Sequence, residues 1–201
     1  MSSARKQAAM TSGRLEAFTD GVIAIIITIM VLELKVPQEG TLDALSDSGP
    51  LLCAYALSFI NVGLYWNNHH HLMHAAERVD GRVLWANLFL MFWLSLTPFV
   101  IRWLNDTDFA PMATAAYGLV MGMAAIGYDL TERAIIACNG KDSLLARAVG
   151  TDAKGKISLA LYLIAIPAAF VARPVAMLCY IAVLAIWFVP DRRIEKVLRR
   201  V

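Results

Sequence analysis

From Gly21 to Leu32 the chain carries no charge, and nearly every residue is aliphatic. At about 1.5 Å per residue, the helix from Phe18 to Val36 is long enough to cross a hydrocarbon core of about 30 Å. An element of this kind cannot sit in an ordinary soluble fold without a large apolar partner. Its mouth is polar, with Arg14 and Asp20 flanking Phe18 and the aspartate within one turn of the apolar run. A carboxylate at that depth is costly unless it finds a partner or water, and so marks a functional position.

The remaining sequence repeats the theme. Of 201 residues, 59% are hydrophobic, well above the share in soluble domains. Several further stretches are long enough and free enough of charge to span a bilayer. The length suits one compact six-span domain over residues 1–201, with residues 1–13 as a flexible cytoplasmic tail. A net charge of +2 is too small to argue for nucleic acid. Cys53, Cys138 and Cys179 show no paired spacing, which speaks against a disulfide framework or a cysteine metal site. The first apolar run is too long for a cleavable signal peptide and lacks a small-residue cleavage site.

The spans are expected at about 16–36, 51–74, 83–104, 109–136, 157–172 and 174–190, the last two a tight hairpin around Arg173 and Pro174. Pro98 and Pro167 are the expected mid-span breaks. Of the eighteen Lys and Arg, all but Lys35, Arg102 and Arg173 fall on one side of this layout. That asymmetry places both termini in the cytoplasm. No internal repeat is evident, so symmetry in the working unit is expected from oligomerisation.

Enzymatic motifs are missing: there is no nucleophile elbow, P-loop, dinucleotide fingerprint or H-E-x-x-H. The chain is therefore expected not to be an enzyme and to need no cofactor. The densest polar cluster is His69, His70, His71 and His74 at the end of span 2. His70 and His74 are four apart on one helical face, a spacing that can grip a transition metal, with Glu77 the nearest local carboxylate. The competing reading has these imidazoles hydrogen-bonding neighbouring spans, and the site residues are taken to include no metal ligand. Asp20 lies roughly 140° around the helix from Ile25, at about 100° per residue. Its candidate partners are the span-2 histidines, Trp66 and Asn87, in a polar lock between helices or in a proton path.

Ile25, Ile29 and Leu32 recur at i, i+4 and i+7, with Thr28 the only hydroxyl in the middle of the span. Periodicity alone leaves that stripe as lipid contact, bundle core or pore lining. Glu33 and Lys35 at the outer end read as pore-mouth charges or interfacial anchors. Ala115, Gly118, Gly122 and Ala125 give span 4 a small-residue face suited to close helix packing.

The string Arg14-x-x-x-Phe18-Thr19-Asp20, opening the first span, resembles the R-x-x-x-F-S-D signature of the transmembrane protein 175 family of potassium channels. Thr19 stands where the family has serine and keeps the hydroxyl. Tyr65-Trp66-Asn67-x-His69 on span 2 and Asn87 on span 3 add to the likeness, and the single-repeat length resembles the bacterial members. The resemblance implies an all-α homotetramer around a central pore lined by the first helix, without a T-V-G-Y-G filter. It places the apolar constriction on Ile25, the hydroxyl layer on Thr28 and further apolar layers on Ile29 and Leu32. It also places Arg14, Phe18, Thr19 and Asp20 in a polar network whose partners are His70 and Asn87.

The function so implied is a potassium-permeable channel with modest preference for K⁺ over Na⁺. Its partners would be copies of itself and the lipid of the cell membrane. The alternatives are a proton leak or proton-coupled transporter using Asp20 and the histidines, and a membrane enzyme using a histidine-bound metal.

Overall fold

The computed structural model describes residues 12–34, 36, 37, 39–140, 142–149 and 152–188. Among them the regular elements are all helices: α1 (Ser12–Leu32), α2 (Leu42–Asp47), α3 (Gly49–His74), α4 (Gly81–Ser95), α5 (Thr97–Asp106), α6 (Pro111–Asn139), α7 (Leu144–Val149), α8 (Ala153–Val171) and α9 (Arg173–Phe188). Four stretches are long and apolar enough to cross a membrane: α1, α3, α4 with α5, and α8. α6 is longer than any of them but rich in Ala, Gly and Thr, and α9 is apolar with 16 described residues.

Several boundaries differ from those expected, for local reasons. α1 starts at Ser12, so the last two residues of the expected tail already belong to it, while residues 1–11 lie outside the described residues. Its end at Leu32 falls short of Val36, because Glu33 and Leu34 close a turn onto the carbonyls of Met30 and Val31. The six-residue helices α2 and α7 lie in segments expected as loops. The basic tail from Asp191 and Lys35 lie outside the described residues.

Prolines set much of the segmentation. α3, α5 and α6 carry Pro50, Pro98 and Pro111 at their starts. Proline's missing N–H costs nothing there, and its fixed φ suits the helix. Pro98 also divides the third span, which breaks at Leu96 into α4 and α5. Pro167, the other expected break, leaves α8 continuous from Ala153 to Val171. Such prolines are tolerated where neighbouring helices re-satisfy the freed backbone groups.

Caps complete the ends. The Asp80 carboxylate accepts from the N–H groups of Arg82 and Val83 at the start of α4. Burial works to raise the Asp80 carboxyl, but the Arg82 guanidinium and these N–H groups outweigh it and hold it below its ordinary value. At the other end of α6, Gly140 has φ +99°, a left-handed conformation that glycine adopts without a Cβ clash.

Lipid offers no hydrophobic drive between helices, so close packing and hydrogen bonds must hold the bundle. α6 supplies the close packing. A Cβ at Gly127 would meet the Cα of Leu90 on α4 at 2.8 Å, and one at Gly122 would meet Tyr162 on α8 at 3.3 Å. Gly118 lies against the hydroxyl of Tyr180 on α9, and that hydroxyl donates to the Thr114 carbonyl at 2.8 Å. The small-residue face expected of span 4 therefore meets α8 and α9, and Gly127, outside that expected face, brings α6 against α4. α1 packs within the bundle against α3, α4 and α5.

Candidate functional site

α1 has two unlike faces, as its 3.6-residue period requires. Leu15, Thr19, Ile23, Ile26 and Met30 are buried in the chain. On the other side Phe18, Ile25, Ile29 and Leu32 are 48%, 58%, 41% and 79% exposed. Thr28 is also exposed, and its hydroxyl donates to the Ile25 carbonyl at 2.9 Å, as hydroxyls in apolar helices commonly do. The stripe seen by periodicity is thus the outward face of α1, which excludes bundle core within one chain. Ile25 and Ile29 border a groove of about 430 Å³ closed on its far side by Pro98, Phe99 and Arg102 of α5.

The inward face is anchored by polar contacts near its start. Asn87 on α4, fully buried, donates from Nδ2 to Thr19 Oγ1 at 2.9 Å. Its Oδ1 lies 2.8 Å from His69 Nε2 on α3. Since Oδ1 can only accept, Nε2 must carry the imidazole proton, which fixes the tautomer of His69. Three helices are joined by this chain of side chains, and each buried polar atom in it has a partner. A satisfied network in low dielectric is both strong and intolerant of a missing member.

A second ladder runs along the edge of the α1–α3 seam. Trp66 Nε1 donates to Asp20 Oδ1 at 2.9 Å. One turn earlier on α1 and one turn later on α3, Glu16 Oε1 lies 2.7 Å from His70 Nδ1 and 3.8 Å from His74 Nε2. The i, i+4 pair Glu16 and Asp20 therefore meets the i, i+4 series Trp66, His70 and His74 as two helices running in opposite directions. At the far end of α1, Glu33 pairs with Arg102 of α5 at 3.0 Å, and Arg102 also reaches Asp106 at 3.4 Å.

The structure thus brings Thr19 and Asn87 together, and Asp20 with Trp66, while His70 meets Glu16 rather than Asn87. Arg14 and Phe18 are exposed and stand apart from both ladders. Glu16 is the residue that sequence reasoning left out, whereas His69 was among the span-2 histidines offered as partners but meets Asn87 rather than Asp20. The available signal for Glu16 was its spacing of four from Asp20, which puts both carboxylates on one face.

A helical chain with several membrane-length spans, one of them fixed by its polar inner face and open along an apolar outer one, is a polytopic membrane protein. Comparison with known proteins takes this further. The family profile described as "Endosomal/lysosomal potassium channel TMEM175" matches residues 14–98. A protein of Chryseobacterium sp. (strain P1-3) named as a potassium channel is 48% identical over 190 residues, covering 94% of this chain and 99% of the relative. The human protein named "Endosomal/lysosomal proton channel TMEM175" is 38% identical over 96 residues, 41% of this chain and 19% of its own length. The crystal structure of a lysosomal potassium-selective channel TMEM175 homolog from Chamaesiphon minutus superposes with a TM-score of 0.77 at 26% identity. That match covers 90% of this chain and 97% of the other. The chain belongs to the TMEM175 family.

Proposed function

We propose that this chain is one subunit of a potassium-permeable cation channel in a bacterial cell membrane. Four copies surround an axis lined by the outward face of α1. Within each copy, α1, α3, α4 with α5, α6, α8 and α9 form one six-span unit with both ends in the cytoplasm. The observation that carries the reading is the exposure of Ile25, Thr28, Ile29 and Leu32 along a helix whose opposite face is locked into its own chain. Membership of a family of ion channels supports the activity and sets an enzymatic role aside. The Chryseobacterium relative, named as a potassium channel and matched over almost its whole length, supports the choice of ion.

The physics follows from the stripe. A ring of Ile25 side chains makes an apolar constriction that closes by dewetting. An ion passes when the ring widens or its water is partly replaced, and the Thr28 hydroxyls one turn on can take part in that replacement. Without a cage of backbone carbonyls, discrimination rests on dehydration cost and pore width, so preference for K⁺ over Na⁺ is modest. Glu33, held by Arg102, then sits near the outer mouth.

The test is cation flux in liposomes containing the purified chain, with K⁺ and Na⁺ gradients compared and a protonophore control. Ile25→Asn is expected to raise resting K⁺ flux, because a polar ring stays wet. Unchanged flux in that variant would falsify the constriction assignment. A proton-conducting reading is favoured by one observation, the human relative's name as a proton channel. It predicts proton flux that disappears in Asp20→Asn with K⁺ flux absent throughout.

A further inference from the structure

The Glu16 cluster has more converging donors than an ion pair uses. Glu16 Oε1, His70 Nδ1 and His74 Nε2 all lie within 4.8 Å of one another. His70 alone satisfies the carboxylate oxygen at 2.7 Å. His74 Nε2 is turned toward the same oxygen at 3.8 Å, too far to hydrogen-bond. The two imidazole rings sit edge to face with centroids 4.3 Å apart. Two imidazole nitrogens and a carboxylate oxygen aimed at one small volume are what a cation between them would satisfy together.

We propose that Glu16, His70 and His74 form a binding site for a divalent transition metal of the Zn²⁺ type, bridging α1 and α3. The donor set is two histidines and one carboxylate, which suits Zn²⁺ and its first-row neighbours and is too nitrogen-rich for Mg²⁺ or Ca²⁺. Metal–donor bonds of about 2.0–2.2 Å place tetrahedral donors about 3.3 Å apart. The two carboxylate–imidazole distances, 2.7 and 3.8 Å, bracket that value and all three donor atoms lie within 4.8 Å of one another, so rotations of side chains close the site. Two of the ligands are preset by the i, i+4 spacing on α3, and the third comes from the neighbouring helix. His74, with its side chain 55% exposed, provides the way in from water and leaves a fourth position for a water ligand. Glu77, the carboxylate nearest in sequence, is exposed and takes no part in the cluster.

Metal in this position ties the start of α1 to α3 one turn from Asp20. Where α1 lines a pore, the tie holds that helix still and lowers flux, a consequence that rests on the channel reading. Binding itself does not depend on that reading, so the two fail separately.

The experiment is Zn²⁺ titration of the purified full chain in detergent, with a tag that contains no histidine, followed by a competing chromophoric chelator. One saturable Zn²⁺ per chain is expected. His74→Ala and Glu16→Gln should each weaken it at least tenfold, whereas His71→Ala and Glu77→Gln should leave it unchanged. Co²⁺ should give the visible absorption of a four-coordinate site in the wild-type chain and lose it in His74→Ala. Because His74 is exposed, that variant keeps its fold and remains informative if Glu16→Gln does not. The proposal is overturned by lack of saturable binding in the wild-type chain. It is equally overturned if His74→Ala retains full affinity, or if His71→Ala loses as much as His74→Ala.

Discussion

α6 and α1 are both long helices of small and aliphatic residues, yet the bundle treats them oppositely. α6 buries 14 of its 29 residues and meets α4, α8 and α9 through glycines. α1 buries five of its 21, and a Cβ added at Gly21 would meet nothing within 4 Å. In a bilayer, where packing rather than water expulsion joins helices, this separates a structural axle from a helix clipped to its side. The clip is polar: Thr19, Asn87 and His69 below, Glu33 and Arg102 above. Close packing fixes α6 on several sides, whereas α1 is held along one face, by buried aliphatic residues and by polar contacts near both ends, and left open along the other.

Substitutions probe that difference in order of expected size. Gly127→Ala drives a methyl against the Leu90 backbone, which cannot step aside. It should cost about 3 kcal/mol, read as a fall in thermal unfolding temperature in detergent. Asn87→Ala orphans Thr19 and His69 in the buried network and should cost about 2 kcal/mol by the same assay. Little effect of that change would mean that α1 is held without this network, by its apolar contacts and by the pairs Asp20 with Trp66, Glu16 with His70 and Glu33 with Arg102. Asp80→Ala removes the cap of α4, α6's partner across the glycine seam, at about 1 kcal/mol. Because the Asp80 carboxyl titrates below its ordinary value in the folded chain, its contribution is complete at neutral pH. That contribution is lost as pH falls through the lowered folded value. Gly21→Ala should leave stability unchanged or gain up to ~1 kcal/mol from helix propensity. A loss there comparable to Gly127→Ala would erase the contrast between the two helices.

Much of this was legible in the sequence, and the exceptions have physical reasons. The stripe of Ile25, Ile29 and Leu32 follows from spacing alone, because a 3.6-residue period leaves no other arrangement. Which way it points depends on what covers the opposite face, and that is set by Thr19 meeting Asn87, 68 positions away in sequence. His69 and His70 are adjacent in the chain but about 100° apart on the helix, so they face different neighbours. One joins the buried network and the other meets Glu16. Pro98 and Pro167 look alike in sequence, yet only the first divides its span. Helices as short as α2 and α7 carry too few turns for any period to show.

The open flank of α1 also bears on how such a protein can change over generations. Ile25, Thr28, Ile29 and Leu32 are exposed in their own chain, so exchanging one for another residue disturbs its folding less than a change on the buried face of α1. Variation there is filtered by what the protein does in the membrane, and variation at Gly127 or Asn87 by whether the chain folds at all. A lineage can therefore retune the outward face of one helix while the remainder of the scaffold stands still.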